Sequence, residues 1–392
     1  MKKGVVSIGD LCDFIHGVTF DSSEVKNNKV SGYIPILRAG NISNTLDTQN
    51  DLVWVPAHKV SQAQYLQIND IAICMASGSP EVLGKTASVK QEFKGSVGAF
   101  CGIIRVRNAD PAFITYFFKS TEFMKWRDKQ RRGVNIQNLR PTEIQEIQIP
   151  LPPIPEQQRI AAILQKADRI RSMRRYARQL SDGYLQSVFL EMFGDPVTNP
   201  MGWKISESKM IISNIRYGTG SPPPYIEKGI PFIRATNVKN GTIQKEGMVF
   251  ISDKEAKKIS KCRLNSGDLI LVRSGINSGD CALIPSTYQD AYAAYDLIIE
   301  MPYPYNYYFN FYINSNYGKN IISKLSRRAG QPHINSDQVK SIQIPLPPEL
   351  LINEFVEVIK TNKKVNYLQI ESERQSEMLF KLLLHNAFQR EL

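Results

Sequence analysis

The chain has 392 residues, a formal net charge of +12 and a pI near 9.3, with 42% hydrophobic and 22% charged residues. This is ordinary for a globular protein of two or three domains, and the positive excess favours a polyanionic partner, most often nucleic acid, over a merely solvated basic surface. No apolar run reaches the ~20 residues of a membrane span; Met1-Lys2-Lys3-Gly4 leads into no signal-peptide core; five cysteines without a C-x-x-C pair read as reduced core residues of a cytoplasmic protein; four scattered histidines argue against a metal site.

In chain order, residues 1–152 read as a strand-rich globular unit, with short β-branched runs at 71–75 and 102–106 between Gly, Asn and Pro punctuation. A helical stretch is expected at 112–126. The run Pro150-Leu151-Pro152-Pro153-Ile154-Pro155 ends this unit and opens a long helix to about Phe193. Apolar residues at Ile160, Ile163, Ala167, Ile170, Ala177, Leu180, Tyr184 and Val188 recur at helical spacing. At 1.5 Å per residue such a helix is roughly 55 Å long. Gly194-Asp195-Pro196 stops it. A second strand-rich unit, 197–346, has strand-like runs at 269–273 and 296–300 and a helical stretch at 305–324. Residues 347–392 then repeat the long periodic pattern, with Phe355, Val358, Val365, Leu368, Leu379 and Leu382 near one stripe.

The chain superimposes on itself at an offset of about 195–201 residues. Ile34-Pro35-Ile36-Leu37-Arg38-Ala39-Gly40-Asn41 pairs with Ile230-Pro231-Phe232-Ile233-Arg234-Ala235-Thr236-Asn237, and Ile147 to Pro153 pairs with Ile342 to Pro348. A repeat this long is one fold used twice rather than a solenoid. The expected class is therefore α+β: two strand-rich units separated by two long helices that pair as an antiparallel coiled coil. Arg174, Asn362 and Ser372 interrupt the stripes and are candidates for fixing its register.

Catalytic patterns are approached but not met. The run from Ser79 to Thr86 lacks the leading glycine of a phosphate-cradling loop, and Pro80 removes a backbone donor. Ser221-Pro222-Pro223-Pro224-Tyr225 approximates a base-gripping methyltransferase loop, but no Gly-rich strand–turn–helix accompanies it. Asp70 and Asp268 match across the repeat as turn residues before a strand.

The basic and polar loops are better candidates for DNA contact. Arg38 with Asn41, and Arg234 with Asn237, have the residue types that read guanine and adenine, or else form an Asn-capped turn. Arg131 and Arg132, matched by Arg327 and Arg328, are suited to phosphates. Segments that differ between copies are better placed to read different bases. They contribute Ser77, Ser79 and Lys85 against Ser274 and Asn277, and Asn135 and Gln137 against Gln331 and His333, and Arg273 is a further candidate for DNA contact.

The doubled IPLPP, Pro155-Glu156-Gln157-Gln158-Arg159-Ile160, Met192-Phe193-Gly194-Asp195-Pro196 and the repeat together resemble the specificity (S) subunit of type I restriction-modification systems over essentially the whole chain. The resemblance implies two target-recognition domains, each reading one half of a bipartite, asymmetric site in double-stranded DNA. It also implies helices that set the gap and dock two methyltransferase (M) subunits. No cofactor is expected in this chain: S-adenosylmethionine on the M subunits, and ATP and Mg on restriction (R) subunits, would supply the chemistry. The second helix departs from the pattern, opening Pro348-Glu349-Leu350-Leu351-Ile352. The competing reading is a self-contained DNA methyltransferase or endonuclease.

Overall fold

The computed structural model describes residues 4–389 except 44, 80, 131–136, 276 and 327–331, and not the side chains of 137 and 182. The chain divides into two compact units, Met1–Tyr176 with Ile370–Leu392, and Ala177–Gln369.

In the first unit a four-stranded antiparallel sheet runs in the order Cys12–His16, Cys101–Val106, Ile71–Cys74, Thr86–Ser88. A three-stranded sheet places Tyr33–Leu37 between antiparallel Val53–Pro56 and parallel Ser96–Val97. Gly4–Ser7 pairs with Gln148–Leu151, tying the start of the unit to the strand that precedes the central helix. The second unit repeats this topology. Its four-stranded sheet is Asn214–Tyr217, Leu297–Glu300, Leu269–Leu271, Cys281–Leu283. Its three-stranded sheet is Val249–Ile251, Ile230–Ile233, Tyr292–Ala293, and its closing pair is Lys204–Glu207 with Gln343–Leu346.

The expected single helical stretch in each copy is a pair of helices. These are Pro111–Phe117 and Thr121–Gln130 in the first copy, and Tyr305–Asn314 and Asn316–Leu325 in the second. A serine side chain caps the break in both: Ser120 Oγ accepts from the Phe123 N–H at 3.2 Å, and Ser315 Oγ from the Gly318 N–H at 3.2 Å. The cap satisfies a donor the helix start would otherwise leave orphaned. The long helices run Ile154–Phe193 and Glu349–Phe388, close to expectation.

Their buried faces differ from the expected stripes. In the first unit the central helix buries Ile160, Ala161, Leu164 and Ala167, and the distal helix Phe380, Leu384, Ala387 and Phe388, in one core with Phe113 and Phe117. In the second unit Phe189 and Phe193 join Ile352, Phe355, Val356 and Ile359 around Tyr308. Ile170, Leu180, Tyr184, Val365, Leu368, Leu379 and Leu382 are instead exposed. The unit each helix end packs on decides which face is buried, so the pattern drifts from a heptad seam. Of the expected register residues, Asn362 is buried, Ser372 is half-buried and Arg174 is exposed. Among the described residues the central helix buries the charge of Arg171, whose Nη2 donates to Asp168 at 2.6 Å and whose Nη1 donates to Glu377 at 3.3 Å. Arg171–Glu377 and Arg175–Glu373 make the two helix segments of this unit antiparallel.

Gln157 explains why the central helix begins where it does. Only 1% exposed, its carbonyl accepts from the Asp110 N–H at 2.8 Å and its amide donates to Pro152 O at 2.8 Å. The matching residue of the second copy is Ile352, fully buried in its core. The departure in the second helix opening thus exchanges a polar clamp for apolar packing.

Candidate nucleic-acid interface

Residues shared by the two copies prove to be braces. The Asn41 side chain accepts from the Arg38 N–H at 2.8 Å and donates to Asn50 O at 2.7 Å; Asn237 accepts from the Arg234 N–H at 3.1 Å and donates to Glu246 O at 3.1 Å. Both asparagines are buried, so as placed they cannot reach a base. Arg38 donates to Asp51 O at 3.2 Å and Arg234 to Gly247 O at 2.6 Å, each holding the loop thirteen residues on. The Arg-x-x-Asn motif thus forms the capped turn, one of its two expected readings, with the asparagines buried while Arg38 stays exposed and Arg234 half-buried. Asp70 accepts from Arg105 at 2.7 Å, and Asp268 from Arg216 at 3.1 Å. Burial raises the Asp268 carboxyl above the usual carboxylate range despite this partner.

The segments that differ between copies converge on one place in each. After the strand Ile71–Cys74, Met75 O accepts from the Leu139 N–H at 2.8 Å, and Ala76–Ser77 pairs with Gln137–Asn138. In the second copy Arg273 O accepts from the Ile334 N–H at 2.9 Å, and Ser274 bridges to His333. The following loop folds back in both: Gly84 N–H donates to Cys74 O, and Gly279 N–H to Val272 O, each at 2.8 Å. Both glycines have positive φ, +72° and +95°, and a Cβ there would run into Arg127 and Ile322 respectively. Only glycine combines that backbone with so close a helix. Met75 and Arg273 therefore occupy the same position in the repeated fold.

Around that position the chemistry differs. In the second copy the Arg273 guanidinium lies 4.6 Å from the Tyr217 ring and 4.3 Å from the Tyr295 ring. Its Nη2 is 2.9 Å from His333 Nε2. Arginine has no acceptor, so Nε2 accepts and is unprotonated in this contact. Asp296 accepts from the Arg273 backbone N–H at 3.3 Å; burial pushes its carboxyl up to about 6, against the pull of Arg273. In the first copy Met75 is half-buried, Phe100, in the place of Tyr295, is 65% exposed, Cys101 stands where Asp296 does, and the exposed His16 and Asn138 stand where Tyr217 and His333 do. The role of Tyr217, Tyr295, Met75 and Phe100 was not legible from residue type; the repeat offset alone could have paired Met75 with Arg273.

The remaining candidates fall as follows. Ser77 Oγ accepts from the Ser79 N–H at 3.0 Å within the loop, and Lys85 is exposed. Asn277 is half-buried, its carbonyl accepting from the Asp280 N–H at 3.0 Å. Arg131, Arg132, Asn135, Arg327, Arg328 and Gln331, and the Gln137 side chain, lie outside the described residues. Of the basic residues beside them, Lys129 is exposed and Lys319 sits 4.0 Å from Asp280 of the loop. Lys85-Thr86 leads into the strand Thr86–Ser88, not into a phosphate-binding helix. Tyr225 of the Pro-rich loop packs 6.0 Å from Phe232 and 5.7 Å from the Arg234 guanidinium.

A family model described as the type I restriction modification DNA specificity domain matches residues 2–180 and 221–377. The chain is 26% identical over 376 residues to the type I restriction enzyme EcoKI specificity subunit of Escherichia coli strain K12, covering 91% of this chain and 80% of that protein. It is 27% identical over 375 residues to the StySPI specificity subunit of Salmonella potsdam, covering 90% and 80%. The crystal structure of the type I restriction-modification S subunit from M. genitalium shares the fold at a TM-score of 0.58 and 15% identity, covering 98% of this chain and 96% of that one. A chain from a structure on complex assembly and conformational transition of the type I R-M system also scores 0.58, at 16% identity, covering 99% and 98%.

Proposed function

The chain belongs to the type I restriction-modification DNA specificity family, and from that premise we propose that its two copies each read one half of a bipartite, asymmetric site in double-stranded DNA. The observation that carries this is the matched crossing at Met75 and Arg273: one backbone, held by the same hydrogen bonds, presents different side chains in each copy. A fold that reads one class of partner twice, with two sequences to tell apart, needs that combination. Its role is recognition within a type I restriction-modification complex, the role its named relatives hold.

Two M subunits dock on the long helices in this reading, and R subunits join them in the cytoplasm. The apolar residues the helices leave exposed, among them Leu180, Tyr184, Leu368 and Leu379, support a docking role, since free solvent does not favour such clusters. The two long helices, read as an antiparallel pair, set the gap between half-sites. Joining two readers rigidly makes the second contact intramolecular and strengthens weak half-site binding. S-adenosylmethionine, ATP and Mg belong to the partner subunits.

The test is to map methylated adenines in DNA from cells carrying this chain with its M partner. A two-part motif with a fixed gap is expected. Methyl transfer by the purified chain without an M subunit would instead establish the self-contained enzyme.

A further inference from the structure

We propose that Arg273 is a base-reading residue of the second copy, directed at a guanine in its half-site, and that the first copy, with Met75 there, reads no guanine at the matching position. The inference rests on the proposed DNA-recognition role and names the specificity determinant within it.

The repeat keeps some groups and changes others. Several groups that hold the fold are the same in both copies, Asn41 and Asn237, Asp70 and Asp268, Gly84 and Gly279, although Gln157 gives way to Ile352. The crossing is held by backbone bonds in both copies, through the carbonyl of Met75 or Arg273 and the N–H of Leu139 or Ile334. The second copy adds the Arg273–His333 bond across the crossing, but the first copy holds the same crossing without it, and the side-chain type changes from thioether to guanidinium.

The setting of Arg273 favours reading over mere attraction. Two tyrosine rings, 40% and 47% exposed, flank the guanidinium and fix its plane. His333 holds one nitrogen at 2.9 Å and so fixes the rotation within that plane. A phosphate contact needs only a positive charge within reach. A held, planar fork is what a bidentate contact to guanine O6 and N7 requires. Ordering the side chain in advance also removes the rotamer entropy that binding would otherwise cost. In the first copy Met75 puts a thioether where the guanidinium stands; it suits a thymine methyl and cannot make the two-bond contact to guanine, while His16 and Asn138 occupy the places of Tyr217 and His333.

The experiment uses the full chain with its M partner. The half-site of the second copy is identified as the one that changes when residues 197–346 are exchanged for those of a relative. Competition with duplexes carrying each base in turn then gives the discrimination at every position. For the unaltered chain, one guanine in that half-site is expected to be preferred by about 10- to 100-fold. In Arg273→Met that preference falls to within about threefold, while the other half-site and the gap stay as they were. Arg273→Lys, which keeps the charge and loses the planar fork, should keep only part of the guanine preference; it also serves if Arg273→Met lowers the melting temperature. A half-site without guanine, or an unchanged preference in both variants, overturns the proposal. So does a loss of affinity that is uniform over all sequences, which marks a phosphate contact. Absence of any bipartite motif for the unaltered chain would instead bring down the recognition role itself.

Discussion

The guanidinium of Arg171, on the central helix, sits 4.1 Å from the centre of the Phe380 ring, on the distal helix, and donates to Glu377 one turn away. Arg171 is nearly buried, and its Nε–H finds no partner among the described residues. The ring covers one face of the cation and two carboxylates satisfy its edge, an arrangement that is costly to break by halves. Arg171→Ala is therefore expected to destabilise the first unit by about 2–4 kcal/mol. Arg171→Met with Glu377→Gln should recover part of the loss by replacing the cation with apolar volume and one carboxylate with a neutral amide. Thermal melts of the single and double variants check this; a single variant that melts like the parent refutes it.

Gln157 stitches the helix start to the globular unit through one backbone donor and one backbone acceptor. Gln157→Ala leaves both without partners, at a cost of about 2–3 kcal/mol. Gln157→Ile, copying the second copy, should cost as much, because the apolar side chain answers neither group. Hydrogen exchange at the Asp110 amide gives a local readout, with faster exchange expected in both variants.

Asp296 carries a pH dependence. Its carboxyl has an ordinary value of 3.8 and is raised to about 6 in the folded chain. Between those values the folded state holds a proton that the unfolded state has lost, so stability falls as pH rises through this window and stays lower above it. Asp296→Asn removes the penalty and keeps an oxygen for the Arg273 N–H. It should raise stability by on the order of 2–3 kcal/mol at pH 8 and change little near pH 4. Urea titrations at the two pH values test the sign.

Lys319 flanks the crossing without entering it, at 4.0 Å from Asp280. If it meets phosphate, Lys319→Ala weakens binding to all sequences alike. It also lowers the slope of log affinity against log salt by about one. A change in the preferred bases would refute the phosphate role.

Under the proposed spacing role, four residues inserted after Ser172 and four after Ser372 add about one helical turn, roughly 6 Å. Mapped methylation should then show a longer gap between unchanged half-sites. An unchanged gap would count against the helices as a ruler.

Much of this protein was readable from its residues. The offset between Ile34-Pro35 and Ile230-Pro231 announced a fold used twice, because local turns and strand starts depend on residue type and recur with it. The Pro-rich starts and the Gly194-Asp195-Pro196 stop bounded the central helix for the same local reason. What tertiary structure alone decided is which face of each helix is buried, since Ile160 and Leu164 are chosen by the core around Phe113 and Phe117 rather than by a repeating seam. It also decided that Asn41 and Asn237 are braces while Met75 and Arg273 share one half-buried crossing. Hydrogen bonds that join segments some sixty residues apart, such as Arg273 to His333 across an interval of 60, have no signature in either segment by itself.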